Sequence, residues 1–316
     1  MSNDTHDALA WVESPLQALT AAEWAHRHRL ETGGTTAIAY RISDPQVVPT
    51  VEALHAMAAP FSRYEPYLGI PWTRLATTRH WVIGDPLSGQ FRAASATLPR
   101  PRRITVVDDG SMVVHAMRAL AGEVDYSRPG QTESRAKVLL GGLSAERLRR
   151  LARDGRVELF TAFGAAADPA RRAGATVGFD DFSWLRGVVR GAGAPEVRLP
   201  HHRIALGSSR VVDGLLRAER YLAWMRELVE RGPVVYLPHR RETPELVDAV
   251  GSLRGVSVLR TGLPAELVLA GTREALELHT LPSSAVTTLR LVLDGTGSTI
   301  RAGRVPVAAI VDGAAR

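Results

Sequence analysis

Short apolar runs, each ended by a turn and followed by a helical stretch, recur along almost the whole chain, and that rhythm admits few folds. Residues 8–12 read as a strand, with a helix from Pro15 to about Leu30 behind it. Residues 36–40, 81–83, 104–107 and 157–160 read as further strands, and 112–120, about 132–140 and 144–153 as helices. The second half repeats the pattern, with strands over 203–206, 234–237, 256–259 and 276–281. Its helices fall over 215–231, 244–252, 264–270 and 284–293. Strands alternating with helices at this spacing build parallel sheets covered on both faces. A chain of 316 residues suits two such domains. The expected fold is α/β of the two-domain Rossmann-like kind, residues 1–192 and 193–316, with parallel sheets facing a central cleft. The Gly-Ala-Gly-Ala-Pro run at 191–195 is the linker candidate.

Composition narrows the chemistry. Hydrophobic residues make up 45% and charged residues 23%, values of a packed chain and not a disordered one. No run approaches the roughly 20 apolar residues that cross a bilayer, and the first residues are polar and acidic where a signal peptide is basic and then apolar. The expected location is the cytoplasm. With no cysteine, disulfides, zinc–cysteine sites and thiol catalysis are excluded. The net charge of +6 is almost all arginine, Lys137 being the single lysine. The basic stretches 100–103, 147–156 and 171–172 read either as solvated faces or as a surface that leans on a membrane or an anionic acceptor. They carry no interleaved aromatics, so no nucleic-acid partner is expected. There is no Walker A motif, and no Asp-x-Asp or HExxH spacing for a metal.

Four polar clusters follow predicted strands, where open α/β sheets place their ligand crevice. In Ser14-Pro15-Leu16-Gln17, Ser14 reads as an N-cap, Pro15 as the first helical residue and Gln17 as the partner in a capping box. The same helix end offers amides to an anion. In Asp108-Asp109-Gly110-Ser111, adjacent carboxylates raise one another's pKa, and one of them suits a general base; the bland reading is a cap with Gly110 turning the chain. In Pro238-His239-Arg240-Arg241-Glu242, His239 suits protonation of a leaving phosphate while Arg240 or Arg241 supplies fixed charge. Glu242 orients the histidine or pairs with an arginine. Ser283 and Ser284, after Pro282, are helix caps or a phosphate cradle.

Taken in order, these clusters resemble those of the bacterial lipooligosaccharide sialyltransferase and capsule polysialyltransferase families, across nearly the whole chain. That resemblance implies a GT-B fold and an inverting, metal-independent, cofactor-free transfer. The donor would be a CMP-activated sialic acid or related nonulosonic acid, the acceptor a hydroxyl of a glycan, glycolipid or similar molecule. It assigns the base to Asp108 or Asp109, with a preference for Asp108, and the acid or phosphate contact to His239. Donor binding falls to Ser14, Gly110, Pro238, Arg240, Arg241, Ser283 and Ser284, and a ribose contact to Glu266. The families place proline directly after the histidine; here Arg240 stands there and Pro238 precedes. GT-B architecture leaves the reaction open, so a nucleotide-sugar epimerase or hydrolase, or a non-catalytic nucleotide-sugar-binding protein, stands as the alternative.

Overall fold

A computed structural model describes residues 7–130, 132–191, 198–272 and 274–303. The chain divides into two compact units, Met1–Gly193 and Ala194–Arg316. Residues 192–195 of the expected linker lie outside the described residues.

The first unit opens with β1 (Ala8–Val12), α1 (Pro15–Thr32), β2 (Thr36–Arg41), α2 (Val47–Ala56) and β3 (Phe61–Tyr67). It continues through α3 (Trp72–Thr77), β4 (His80–Ile83), α4 (Gly89–Thr97), β5 (Arg103–Val107) and α5 (Met112–Leu120). Then come α6 (Arg135–Arg153), β6 (Val157–Thr161), α7 (Ala167–Arg172), β7 (Thr176–Phe179) and α8 (Ser183–Arg190). The seven strands are all parallel, in the order β3-β2-β1-β4-β5-β6-β7. Every residue of β1 is buried, as a central strand with helices on both faces requires. Leu9, Trp11, Trp81, Ile104, Val106 and Met117 lie in the core on one side of this sheet.

α1 starts where Ser14 caps and Pro15 fixes the first turn, and stops at Gly33, whose φ of 69° is the left-handed conformation that closes a helix. Where two helices were expected over 132–140 and 144–153, one 19-residue helix, α6, runs through Gly141 and Gly142. Gly141 is kept small by the Arg92 guanidinium, which would lie 3.2 Å from an added Cβ.

The second unit comprises β8 (Arg203–Leu206), α9 (Ala218–Glu230), β9 (Val234–Leu237), α10 (Pro244–Gly251) and β10 (Val256–Val258). It ends with α11 (Ala265–Ala270), β11 (Glu277–Thr280), α12 (Ala285–Val292) and β12 (Thr299–Ala302). Its five parallel strands run β10-β9-β8-β11-β12. Among the described residues no helix is long and apolar enough to cross a membrane.

At the amino ends of β4, β5 and β6, away from the strand ends that hold the polar clusters, a cavity of about 150 Å³ is lined in part by Trp24, His28, His80 and Glu158. Glu158 accepts from the Trp24 indole at 3.1 Å, the Thr105 hydroxyl at 3.0 Å and the Arg27 guanidinium. His80 Nε2 lies 2.9 Å from that same hydroxyl. Burial holds this imidazole neutral, its pKa lowered to about 3. The network braces α1 against the sheet.

Candidate functional site

In each unit the strand order reverses once, between β1 and β4 and between β8 and β11, and open sheets bind ligands outside the carboxyl ends of strands at such a reversal. The polar clusters lie there in both units.

In the first unit Ser14 Oγ accepts the Gln17 N–H at 3.3 Å and donates to Asp109 Oδ1 at 2.9 Å. The end of β1 is thereby tied to the end of β5. Gln17 Oε1 accepts the N–H of Glu13 at 2.7 Å, so the capping box closes one residue before the cap itself. A Cβ on Gly84 would fall 2.0 Å from Gln17 Cδ; only glycine at the end of β4 lets that side chain pass.

The two adjacent aspartates part company. Asp108 is fully buried, one oxygen taking the Thr161 hydroxyl and the other the Ala162 N–H at 2.7 Å. Burial pushes its carboxyl up to about 7, the two hydrogen bonds oppose this and Asp109 adds to it. Asp108 joins β5 to β6 and is closed to solvent, whereas Asp109 is partly exposed. Gly110, at φ 66°, turns the chain directly after it.

Groups that the motifs do not contain complete this corner. Glu13, directly after β1, pairs with Arg41 at 3.3 Å. Asp85, after β4, pairs with Arg128 and accepts the Leu87 N–H at 2.8 Å. Burial pushes the Glu13 carboxyl up to about 7; Arg41 opposes, Asp85 and Asp109 add to the rise, and Arg128 opposes. Burial likewise raises Asp85, against Arg128. A charged residue at the end of a buried strand is visible in sequence for Glu13, directly after β1, and for Asp85, one residue beyond β4. Arg128 comes from 43 residues beyond Asp85, where no local pattern announces it.

In the second unit Glu242 organises the turn after β9. Its Oε2 accepts the His239 N–H at 2.7 Å, and its Oε1 accepts the Tyr236 hydroxyl at 2.6 Å and the Ser208 N–H at 3.3 Å. Tyr221 extends the chain, its hydroxyl 2.8 Å from that of Tyr236. Of the two roles expected for Glu242, it takes the orienting one, through the backbone. His239 Nδ1 accepts the Arg241 N–H at 3.2 Å, which leaves Nε2 to carry the proton of the neutral ring. Burial first, then Arg240 and Arg241, lower its pKa to about 4, with Asp213 opposing. At neutral pH this ring gives a hydrogen bond, not a proton. Arg241 is itself paired with Asp213. Pro238 precedes the turn, half-buried, and Arg240 is exposed.

Ser283 Oγ accepts the Ala285 N–H at 3.2 Å, while Ser284 is the N-cap residue of α12 with no side-chain capping bond. Arg210, in the turn after β8, donates from Nε at 3.2 Å and Nη2 at 3.0 Å to the carbonyl of Pro282. An arginine thus adjoins the serine pair across neighbouring strands. Glu266 is buried, accepts the Thr288 hydroxyl at 2.6 Å and so joins α11 to α12. Burial raises its pKa. Among the described residues no group of three or more His, Asp or Glu is placed to hold a metal ion.

A Cβ on Gly207 would meet the His239 nitrogen at 2.2 Å and Glu242 Oε2 at 2.3 Å. Gly207→Ala is therefore expected to displace the 238–242 turn and destabilise the second unit by about 1–3 kcal/mol. Thermal unfolding would register the loss; an unchanged transition would contradict the close approach.

Solved structures of about the same extent share this architecture. A UDP-GlcNAc 2-epimerase from Neisseria meningitidis bound to UDP-GlcNAc superposes with a TM-score of 0.55 at 10% identity, over 95% of this chain and 83% of that one. MnaA of S. aureus in its UDP co-structure gives 0.54 at 11%, over 94% and 79%. A further UDP-N-acetylglucosamine 2-epimerase gives 0.53 at 11%, over 96% and 80%. The fold is GT-B. A scan of protein-family models and a search of curated proteins find no match.

These neighbours correct the expected donor and activity. Two of them are named as UDP-N-acetylglucosamine 2-epimerases, and the nucleotides that the neighbours' structures hold are UDP and UDP-GlcNAc. The sialyltransferase and polysialyltransferase resemblance, with its CMP-activated acid sugar, is overturned. The physical reason lies in what the motifs do. Ser14 and Gln17 cap α1, Asp108 braces β5 against β6, and Ser283 closes the first turn of α12. Caps and braces of this kind serve any doubly wound sheet, whatever nucleotide it holds.

Proposed function

We propose that this chain is an epimerase of a nucleoside-diphosphate sugar, acting on a UDP-sugar and inverting a carbon that bears an exchangeable C–H bond. The observation that carries the proposal is the placing of Glu13 and Asp109 at one corner of the first sheet, with Glu13 poised near pH 7. Inversion at such a carbon takes a proton from one face and returns one to the other, so it needs two proton-transfer groups. A carboxyl with a pKa near the working pH exchanges protons most effectively. The neighbours' UDP ligands say which nucleotide to try first.

Within the second unit, Arg210, Ser283, Ser284 and the N-terminus of α12 hold the diphosphate, with His239 Nε2–H as a neutral donor to it. Arg240 and Arg241 add positive potential around the same turn. In the first unit, Ser14 holds Asp109 in place and Gly110 turns the chain directly after it.

Incubating the protein with UDP-GlcNAc in D₂O and following the sugar protons by NMR tests this directly. Deuterium entering the sugar without any acceptor, with a second anomeric signal, is the expected result. UDP release only when an acceptor alcohol is added would replace epimerisation with glycosyl transfer. Calorimetry that finds no affinity for UDP or any UDP-sugar would end both readings.

A further inference from the structure

The N-terminal half of α6 is an exposed face whose residues suit neither the core nor the candidate site. Leu139 is 71% exposed, Leu143 61% and Val138 57%. At 100° per residue these three, with Gly142 between them, share the outward side of the helix. Its inward side is fixed independently. Arg92, buried under α6, takes both oxygens of Glu133 at 2.9 and 2.7 Å and the carbonyl of Tyr126 at 3.0 Å. Leu148, Leu151 and Ala152 enter the core. The outward leucines thus sit on a helix whose other side is packed from Gly141 onward.

Charge selects what covers them. The helix carries Arg135, Lys137, Arg147, Arg149, Arg150 and Arg153 against one acid, Glu146. Six cations against one anion leave +5 on this element, nearly the whole excess of a chain whose net charge is +6. Glu146 is itself held by Arg150 at 3.0 Å and Arg153 at 3.3 Å. On the outward side itself lie Arg135, Arg150 and Arg153, whereas Lys137 stands about 160° round from Leu139 and Arg147 and Arg149 donate to the carbonyls of Leu98, Leu120 and Ala119. Aliphatic side chains interspersed with such outward cations, without the tyrosine and tryptophan anchors of protein interfaces, are the composition of a helix that lies in the headgroup layer of an anionic bilayer.

We infer that the outward face of α6 docks this protein onto an anionic membrane surface, Val138, Leu139 and Leu143 entering the acyl boundary and Arg135, Arg150 and Arg153 facing the lipid phosphates. Docking needs no spanning segment. It is reversible, and it weakens with salt because the cations act within a Debye length of the surface. It is also independent of the reaction assigned to the strand ends.

Co-sedimentation of the full chain with vesicles of 30 mol% phosphatidylglycerol in phosphatidylcholine tests it, against pure phosphatidylcholine, in about 0.1 M salt. Partition onto the anionic vesicles is expected, with little onto the neutral ones. Leu139→Ser plus Leu143→Ser should lower the partition coefficient at least about tenfold. Arg135→Gln plus Arg150→Gln should lower it by about fivefold per charge. Since all four side chains are exposed, circular dichroism should show unaltered folding. Arg171→Gln plus Arg172→Gln, on α7, should leave binding as it is. Absence of binding to the anionic vesicles, or binding that survives the double leucine change, would overturn the inference. So would light scattering that shows a dimer broken by that same change, which would assign the face to a second copy of this chain.

Discussion

Asp109→Asn is expected to lower the rate of deuterium entry into the sugar by about 10²–10⁴-fold, the range that positioned proton transfer contributes. UDP affinity should stay within about twofold, because the proposed diphosphate contacts belong to the second unit. Glu13→Gln should match it in rate and differ in pH dependence. The Glu13 carboxyl is pushed up to about 7, so in the native protein kcat/KM should climb as pH rises through 7 and the ionised form becomes available to take the sugar proton. Glu13→Gln removes that limb along with the activity. Its neighbours should move the limb in opposite directions. Arg41→Gln deletes the cation that lowers the Glu13 pKa and shifts the limb to higher pH. Asp85→Asn deletes an anion that raises it and shifts the limb to lower pH. If Glu13→Gln kept both the rate and the limb, Glu13 would have no part in the chemistry. A limb that ignored Arg41 and Asp85 would belong to another group.

The central strands were legible in sequence because each is an apolar run buried on both faces. Residues 8–12 and 203–206 match β1 and β8 to the residue. The strands that escaped were β3, β7 and β12, three of the four sheet edges. An edge strand need not be apolar throughout. β3 carries Ser62, Arg63 and Pro66 in an outward-facing stretch, and β7 is four residues with Gly178 among them.

The candidate site divides in the same way. Strand-end clusters contiguous in sequence, Asp108–Asp109 and His239–Glu242, stood out as motifs. Glu13–Arg41, Asp85–Arg128 and Arg210–Pro282 join residues 28, 43 and 72 positions apart, and only the order of strands makes them neighbours. Which aspartate is sealed was equally out of reach. That depends on Thr161, 53 residues on, and the preference for Asp108 had no access to it. Donor identity failed for a different reason. The motifs that suggested it are those that cap helices and tie strands, and these recur wherever two parallel sheets end in helices.

Raising the pH from 6.5 to 8 is expected to destabilise the first unit by about 1–2 kcal/mol or more, because three of its carboxyls are buried close together and hold protons there. Glu23, in the middle of α1, accepts the N–H groups of Trp184 at 2.9 Å and Leu185 at 2.8 Å, at the start of α8. Asp180 accepts the Phe182 N–H at 2.9 Å and helps hold Phe182 at a φ of 56°. Its second oxygen is buried without a hydrogen-bond partner among the described residues. Asp108 is the third.

Burial raises Glu23 and Asp108 to about 7 and Asp180 well above its usual value, and repulsion from Glu23 and Asp108 adds to the rise at Asp180. The folded state therefore binds protons that the unfolded chain has released by about pH 4.5. Stability from this source is complete below that pH and is lost as pH climbs through the folded values. A buried histidine of this unit works the other way. His80 is lowered to about 3 from 6.5, so its contribution grows up to pH 6.5 and is level above it. The fall is thus cleanest above 6.5.

Tryptophan fluorescence during urea unfolding follows the first unit, which holds Trp11, Trp24, Trp72, Trp81 and Trp184 and leaves only Trp224 to the second. Asp180→Asn keeps the oxygen that accepts from Phe182 and removes the charge facing Glu23 and Asp108. It should raise stability at pH 8 and flatten the fall. Glu23→Ala should do the reverse of stabilise, because it strands two buried amides at about 1–3 kcal/mol each. A flat profile between pH 6.5 and 8, or an Asp180→Asn protein weaker than the native one at pH 8, would mean that the three carboxyls do not share one buried, proton-holding environment.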